Sequence, residues 1–422
     1  MTAQGQFKFS GYKWLGDIPS DWNITRIKNI LSNVSIKNRP DATVLSLYRE
    51  HGVIPKDSRD DNHNVTSEDT SSYKFVEIGN LVINKMKAWQ GSLAVSDYEG
   101  IISPAYYVCK FIDDSVEKKY IHYLLRCRLY AQEFERLSTG MRVGQWDLGI
   151  DDFMCIPALI PPKNEQIAIS NYLDRWSEQI DSIINESIQS IDSYRILKAA
   201  IIFEATTKGL HQETPCKNSG IEWIGDTPSH WSIRRLYQLV GQVKNKNTDT
   251  RETNLLSLSY GKIKRKDINT SDGLLPASFD GYNIIEAGDI VLRLTDLQND
   301  HTSLRVGLSQ ERGIITSAYT TIRPFNLAHS NYLYYLLHTF DLRKGFYGMG
   351  AGVRQGLNYD EVKELRLVLP PETEQAEICA YLNEKCNVID SLISEKESLI
   401  EDLMQYKKSL IYEVVTGKRK VV

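Results

Sequence analysis

Four stretches of this chain interleave Lys or Arg with amides and aromatic rings, the side chains that can read nucleobase edges. They are Asn84-Lys-Met-Lys-Ala-Trp-Gln90, Thr139-Gly-Met-Arg-Val-Gly-Gln-Trp146, Arg293-Leu-Thr-Asp-Leu-Gln-Asn299 and Gly350-Ala-Gly-Val-Arg-Gln355. In the major groove Arg or Lys matches the two acceptors of guanine, Asn or Gln the donor–acceptor pair of adenine, and Asp or Glu the amino group of cytosine. The candidates are therefore Lys85, Lys87, Trp89, Gln90, Arg142, Gln145, Arg293, Gln298, Asn299, Arg354 and Gln355. A denser basic cluster, Lys262, Lys264, Arg265 and Lys266, has the character of a phosphate contact, which sets register without reading sequence. The segments 46–63 and 257–282 add Tyr48, Arg49, His51 and Arg59. The same residue types also make ordinary solvated loops, and their order alone does not separate the two roles.

Catalytic signatures are missing by contrast. No Asn/Asp-Pro-Pro-Tyr/Phe loop for an extruded base occurs, and no Gly-x-x-x-x-Gly-Lys-Ser/Thr loop for a nucleotide phosphate. Asp360-Glu-Val-Lys363 lacks the second acidic strand of a nuclease site and reads as a helix start. The eight histidines show no His-x-x-x-His spacing and the six cysteines no Cys-x-x-Cys pair, so no metal site is expected and the cysteines read as buried reduced thiols. The chain is expected to bind and not to catalyse.

Its 422 residues suffice for two to four domains, and 41% hydrophobic with 25% charged residues is ordinary for a globular protein. No apolar run reaches the 18 residues of a membrane span, and the N-terminal stretch lacks the apolar segment of a signal peptide, so a cytoplasmic location is the default expectation. A net charge of −4 argues against a uniformly basic nucleic-acid binder but leaves a local basic face open.

The elements that must position these loops are written twice. Gly11-Tyr-Lys-Trp-Leu-Gly-Asp-Ile-Pro-Ser-Asp-Trp22 returns 209 residues later as Gly220-Ile-Glu-Trp-Ile-Gly-Asp-Thr-Pro-Ser-His-Trp231. At the same offset Pro161-Pro-Lys-Asn-Glu-Gln166 returns as Pro370-Pro-Glu-Thr-Glu-Gln375. The tryptophans, spaced identically, suit structural packing. The strand-like runs Asn80-Leu-Val-Ile-Asn-Lys and Asp289-Ile-Val-Leu-Arg-Leu each follow a glycine turn, and Tyr120-Ile-His-Tyr-Leu-Leu125 and Tyr332-Leu-Tyr-Tyr-Leu-Leu337 open helices. Four extra residues enter the second copy ahead of Ile314, the partner of Ile101, and the copies diverge between landmarks, through drift or through recognition of different targets.

After each Pro-Pro the pattern turns helical. Apolar residues recur at steps of three or four from Leu173 to Ile201, and Gly209 closes the run, a rod of roughly 60 Å at ~1.5 Å per residue. In the second copy Leu382, Ile389, Leu403 and Leu410 share one heptad position, broken by Lys396, and Leu392, Leu399 and Tyr406 the other. Helices of this length need a partner for their stripe; each copy is the obvious partner of the other, although docking on its own domain also satisfies the pattern. Glu165, Gln166, Glu374 and Gln375 stand in the first turn, where an acidic side chain complements the helix dipole.

These landmarks resemble the specificity subunit of type I restriction–modification enzymes over essentially the whole chain. The likeness rests on Trp14, Gly16, Pro19 and Trp22 with Trp223, Gly225, Pro228 and Trp231, on the two Pro-Pro-x-x-Glu-Gln motifs, and on the alternation of globular and helical segments. It implies an α+β fold: target recognition domains at 1–160 and 211–369 alternate with helical spacers at 161–210 and 370–422, which pair as an antiparallel coiled coil in a pseudo-twofold molecule. It implies one recognition domain for each half of a split double-stranded DNA sequence, with the rods as a ruler matched to half-sites about one helical turn (~34 Å) or a multiple apart. Two methyltransferase subunits are implied as partners, docking near the rod ends where Glu165, Gln166, Glu374 and Gln375 lie, and two translocating endonuclease subunits can join. S-adenosylmethionine, ATP and magnesium are then expected on those partners, which methylate adenine N6. The rival reading of the same residues is a coiled-coil adaptor whose heads bind proteins.

Overall fold

The structure, a computed structural model, describes residues 6–59, 66, 69–140, 146–211, 213–249, 251–268, 278–300, 302–349 and 356–421. The chain forms two compact units, one of residues 1–187 with 397–422 and one of residues 188–396. Each unit thus takes half of each long helical segment.

The same topology is built in both. In the first unit Phe7–Phe9 pairs with Asp17–Pro19, Asn23–Arg26 with Pro157–Ile160, Leu45–Tyr48 with Gly52–Pro55, and Lys74–Val76 with Gly100–Ile102. A four-stranded antiparallel sheet runs Leu31–Val34, Tyr106–Phe111, Leu81–Asn84, Leu93–Val95. In the second unit Cys216–Asn218 pairs with Asp226–Pro228, Ser232–Arg235 with Arg366–Leu369, Leu256–Ser259 with Lys262–Arg265, and Asn283–Ile285 with Gly313–Ile315. Its sheet runs Val240–Gln242, Thr320–Pro324, Ile290–Leu292, Val306–Leu308, the same order.

Both sheets are covered on both faces, which is why their central strands read as unbroken apolar runs. Leu81 and Ile83 face the larger core and Val82 a smaller one beneath the hairpins; Ile290, Leu292 and Val291 repeat the division. The glycine ahead of each strand is required, since Gly79 and Gly288 have φ of 85° and 91° in the turns that Asn80 and Asp289 close. Helices α1 (Lys118–Arg126), α2 (Arg128–Leu137) and α3 (Ile150–Cys155) precede the long α4 (Lys163–Lys208); α5 (Ser330–Leu342) and α6 (Tyr359–Val362) precede the long α7 (Glu372–Val415). Asp360 and Glu361 are first-turn residues of α6, capped by Asn358, as expected of a helix start.

The two long helices pair antiparallel. In the first unit Ile169 and Leu173 share a core with Leu410 and Val414, and Lys407 Nζ reaches the Asp181 carboxylate at 2.7 Å. In the second, Ile202 and Ala205 share a core with Ile378 and Leu382, and Lys198 Nζ lies 2.6 Å from Asp390. The seam differs from expectation in one heptad position. Leu382, Ile389 and Leu410 are buried, but Leu392, Leu399 and Tyr406 are 37–43% exposed. The buried and half-buried positions are instead Cys386, Ile393, Ile400, Lys407 and Val414. A stripe with one heptad series has its second series either three or four residues on; the leucines marked the flank, and the neighbouring isoleucines hold the seam. Two cysteines also depart from expectation, for Cys155 and Cys216 are exposed while Cys109, Cys127 and Cys386 are buried.

The doubled motifs meet at one joint in each unit. Trp22 is buried edge-on against Tyr120, ring centroids 6.5 Å apart, and Trp231 stands against Tyr332 at the same distance. Tyr120 donates to the carbonyls of Leu159 and Val415; Tyr332 donates to those of Val368 and Thr206. The left-handed Gly417 (φ 71°), just past α7, lies against Pro19 and Trp22, and Gly209 (φ 77°), just past α4, against Pro228 and Trp231. Each Trp-Gly-Pro-Trp opener is therefore the seat of a helix C-terminus.

Candidate nucleic-acid interface

In the first unit the loop after Leu81–Asn84 is closed by Asn84 N–H donating to the Ser92 carbonyl at 3.0 Å and turned by Gly91. Trp89 is half-buried, donates its indole N–H to the Met86 carbonyl at 3.1 Å and stands 5.3 Å from the Trp146 ring. Two of the loops singled out in the sequence thus meet in one place. Lys85 is half-buried with Nζ 3.0 Å from the Asp147 carboxylate, a hydrogen bond that raises its pKa, whereas Lys87 is exposed and Gln90 half-exposed. Arg142 and Gln145 lie outside the described residues.

The nearby hairpin gathers the further candidates. The Arg59 guanidinium lies over the Tyr48 ring at 5.6 Å with Nη1 2.9 Å from His51 Nε2, and Arg126 donates to the Arg49 carbonyl.

In the second unit Arg293 is half-buried with Nη2 3.4 Å from the Asp300 carboxylate. Gln298 and Asn299 are exposed, and the Asn299 amide donates to Asp296 Oδ1 at 2.9 Å. Arg354 and Gln355 lie outside the described residues. The basic cluster divides. Arg265 forms a bidentate pair with Glu311, Nε to both oxygens at 2.8 and 2.9 Å, and Lys262 Nζ is 3.5 Å from Asp390. Lys264 and Lys266 are exposed and make no ion pair among the described residues. At the hairpin tip Tyr260 is 80% exposed with φ 48°. Trp146, at the end of the second stretch, and Tyr260, within 257–282, carry no individual signal in the sequence, because an aromatic residue there looks like any other.

The four residues after Pro-Pro spend their polar atoms inside their own units. Glu165 Oε2 accepts the Trp22 indole N–H at 3.0 Å, and desolvation raises its pKa. Glu374 lies 2.8 Å from His230 Nε2. Gln166 and Gln375, 1% and 3% exposed, donate to the carbonyls of Pro161 and Pro370 at 2.9 and 2.8 Å. Gln166 Oε1 also accepts Glu117 N–H at 2.7 Å, and Gln375 Oε1 meets His329 Nδ1 at 2.9 Å. These contacts lock each globular part onto a helix start.

Among the described residues no group of three His, Cys, Asp or Glu side chains could hold a metal ion, and no helix is long and apolar enough to cross a membrane.

No family model matches the chain. It is 21% identical over 400 residues to a protein of Methanocaldococcus jannaschii provisionally named type I restriction enzyme MjaX specificity subunit, covering 90% of this chain and 89% of that one. Its fold matches a chain from a structure describing complex assembly and conformational transition of the type I restriction–modification system, with a TM-score of 0.70 at 12% identity over 95% of this chain and 99% of that one. It also matches the crystal structure of the HsdS subunit from Thermoanaerobacter tengcongensis, with a TM-score of 0.53 at 13% identity over 97% of this chain and 100% of that one. The chain therefore has the fold of the type I restriction–modification specificity subunits, and the resemblance carried by its doubled motifs holds over nearly its full length.

Proposed function

We propose that this chain is the DNA-binding specificity subunit of a type I restriction–modification complex, reading a bipartite, asymmetric duplex sequence with a fixed spacer. The observation that carries this reading is one topology, built twice, presenting different loops at the same place. In the loop that joins the last two strands of each sheet, Leu81–Asn84 to Leu93–Val95 and Ile290–Leu292 to Val306–Leu308, the first unit offers Lys87 and Gln90, the second Gln298 and Asn299. Equal scaffolds with unequal loops are what two unlike half-sites require, while the exposed Lys264 and Lys266 supply the charge that phosphate contacts need. The antiparallel pairing of α4 and α7 supports their role as the ruler that sets the spacer.

The chain itself is non-catalytic in this reading. Two methyltransferase subunits bring S-adenosylmethionine and methylate adenine N6, and translocating endonuclease subunits bring ATP and magnesium for restriction. Since Glu165, Gln166, Glu374 and Gln375 are held internally, we place partner docking on side chains around them at the helix ends.

The test is co-expression with a type I methyltransferase subunit and mapping of adenine methylation across a genome. A split motif with two distinct halves and a constant gap is expected. A stable complex that leaves no such motif overturns the reading and favours a coiled-coil adaptor.

A further inference from the structure

The four residues by which the second copy exceeds the first fall in one loop. In the first unit Asn84 N–H to the Ser92 carbonyl closes a loop of residues 85–91; in the second, Arg293 N–H to the Arg305 carbonyl at 2.8 Å closes one of residues 294–304. A longer excursion must find partners for its own carbonyls. One side chain reaches four carbonyls here, while Leu357 N–H takes that of Leu294 at 2.8 Å. Arg305 is 0% exposed, and its guanidinium donates through Nη1 to the carbonyls of Arg293 (3.1 Å) and Thr295 (2.7 Å), and through Nη2 to those of Asp296 (3.2 Å) and Asp300. Its Nε donates to Tyr347 Oη at 2.9 Å, which in turn donates to the Asp300 carbonyl at 3.0 Å.

The planar five-donor fork thus meets carbonyls of residues 293–300 through both Nη atoms and Tyr347 through Nε, a geometry that only arginine offers. The buried Asp341 carboxylate accepts the Arg305 main-chain N–H at 2.5 Å. Leu294 and Leu297 peg the loop into the core, while Gln298 and Asn299 are exposed, with the Asn299 amide held to Asp296 Oδ1 at 2.9 Å. Asp296 takes the left-handed conformation, φ 56°, with its carbonyl on the guanidinium. The position equivalent to Arg305 in the first copy is Ser92, in a shorter loop that needs no such filler.

We infer that Arg305 is the positioning residue of the second half-site: it never touches DNA, but sets residues 293–300 in the one shape that brings Gln298 and Asn299 to base edges in the major groove. This rests on the specificity-subunit reading above. It makes the discrimination of one half-site, and not of the other, depend on a buried side chain.

The experiment uses the full complex with its methyltransferase subunits and maps adenine methylation for wild type, for Arg305→Lys, and for a graft replacing residues 294–304 by the sequence of 85–91 together with Arg305→Ser. Lysine keeps the charge but replaces the fork by three donors on a flexible stem. In both variants the first half-site is expected to stay intact, while methylation at cognate over single-mismatch second half-sites falls roughly tenfold or more. A role limited to burying a charge leaves Arg305→Lys with the wild-type motif, and that result overturns the inference. If Arg305→Lys does not assemble, a graft that assembles and reads both halves unchanged overturns it equally. A wild-type complex with no split motif overturns the parent reading and this inference with it; an intact wild-type motif with unchanged variants overturns this inference alone.

Discussion

Tyr120 donates its phenolic hydrogen to the main-chain carbonyl of Val415 at 3.3 Å, across 295 residues of chain, and also to that of Leu159 at 3.0 Å. The hydroxyl thus ties the last strand of the first globular part to the C-terminal end of the second copy's helix. Tyr332 does the reverse, binding Val368 and Thr206, the end of the first copy's helix. Each globular part is held between the start of one long helix and the end of the other, so the fold of either unit needs both copies of the repeat.

Removing either hydroxyl leaves buried carbonyls without a donor. Tyr120→Phe and Tyr332→Phe are each expected to lower stability by about 1–3 kcal/mol. Urea unfolding of the full chain, with the midpoint shifting and the slope unchanged, checks both.

Gly417 and Gly209 are left-handed in the same role but differ in their surroundings. A Cβ on Gly417 collides with the Pro19 ring, whereas one on Gly209 meets the end of the Glu374 side chain at 3.1 Å and Trp231 at 3.2 Å. Gly209→Ala is expected to cost about 1–2 kcal/mol for the backbone conformation alone, and Gly417→Ala measurably more. Thermal unfolding of the two variants side by side decides the order.

The position of the helical seam predicts unequal costs for equal truncations. Leu382→Ala opens a cavity in a fully buried site and is expected to cost about 2–5 kcal/mol. Leu392→Ala, at an exposed position, is expected to fall within about 0.5 kcal/mol of wild type. A comparable loss at Leu392 in chemical denaturation sinks the seam assigned to Cys386, Ile393 and Ile400.

Lys264 and Lys266 are the exposed members of their cluster without an ion pair among the described residues. As phosphate contacts, each is expected to release about one counterion, so Lys264→Ala with Lys266→Ala reduces the slope of log K against log salt by about two. Arg265→Ala, which first has to give up Glu311, is expected to change it less. Duplex titrations of the assembled complex at several salt concentrations read this directly.

Burial pushes the Asp341 carboxyl up to about 6, above the 3.8 of an ordinary aspartate. The folded chain then holds the proton more tightly than the unfolded one, so the contribution of this group is fully present below pH about 4 and is lost as pH rises through 6. The loss is roughly 3 kcal/mol at most. His338, lowered to about 4 by desolvation, runs the opposite way, with stability lost as pH falls. The difference between wild type and Asp341→Asn isolates the aspartate: the wild type is expected to lose stability relative to the variant between pH 4 and 7, and a flat difference refutes the shift.

The sequence by itself determined the doubling, the order of globular and helical segments, and the central strands and long helices as elements. All of these rest on local patterns. Leu81-Val-Ile and Ile290-Val-Leu announce strands, glycine marks the turns before them, and steps of three and four announce α4 and α7 wherever the partner lies. What only the tertiary structure decided is where each side chain finds its partner. Lys85 reads as a free cation until Asp147 stands 3.0 Å away, and Glu165 reads as a helix-dipole residue until Trp22, 143 positions earlier, donates to it. Arg305 carries no local signal at all, because its partners are main-chain carbonyls, identical for every residue type. The heptad pattern likewise pointed to Leu392, Leu399 and Tyr406, and burial against the other helix put Cys386, Ile393 and Ile400 in the seam instead. Periodicity is a property of a segment, whereas a hydrogen-bond partner or a buried face is a property of two segments brought together.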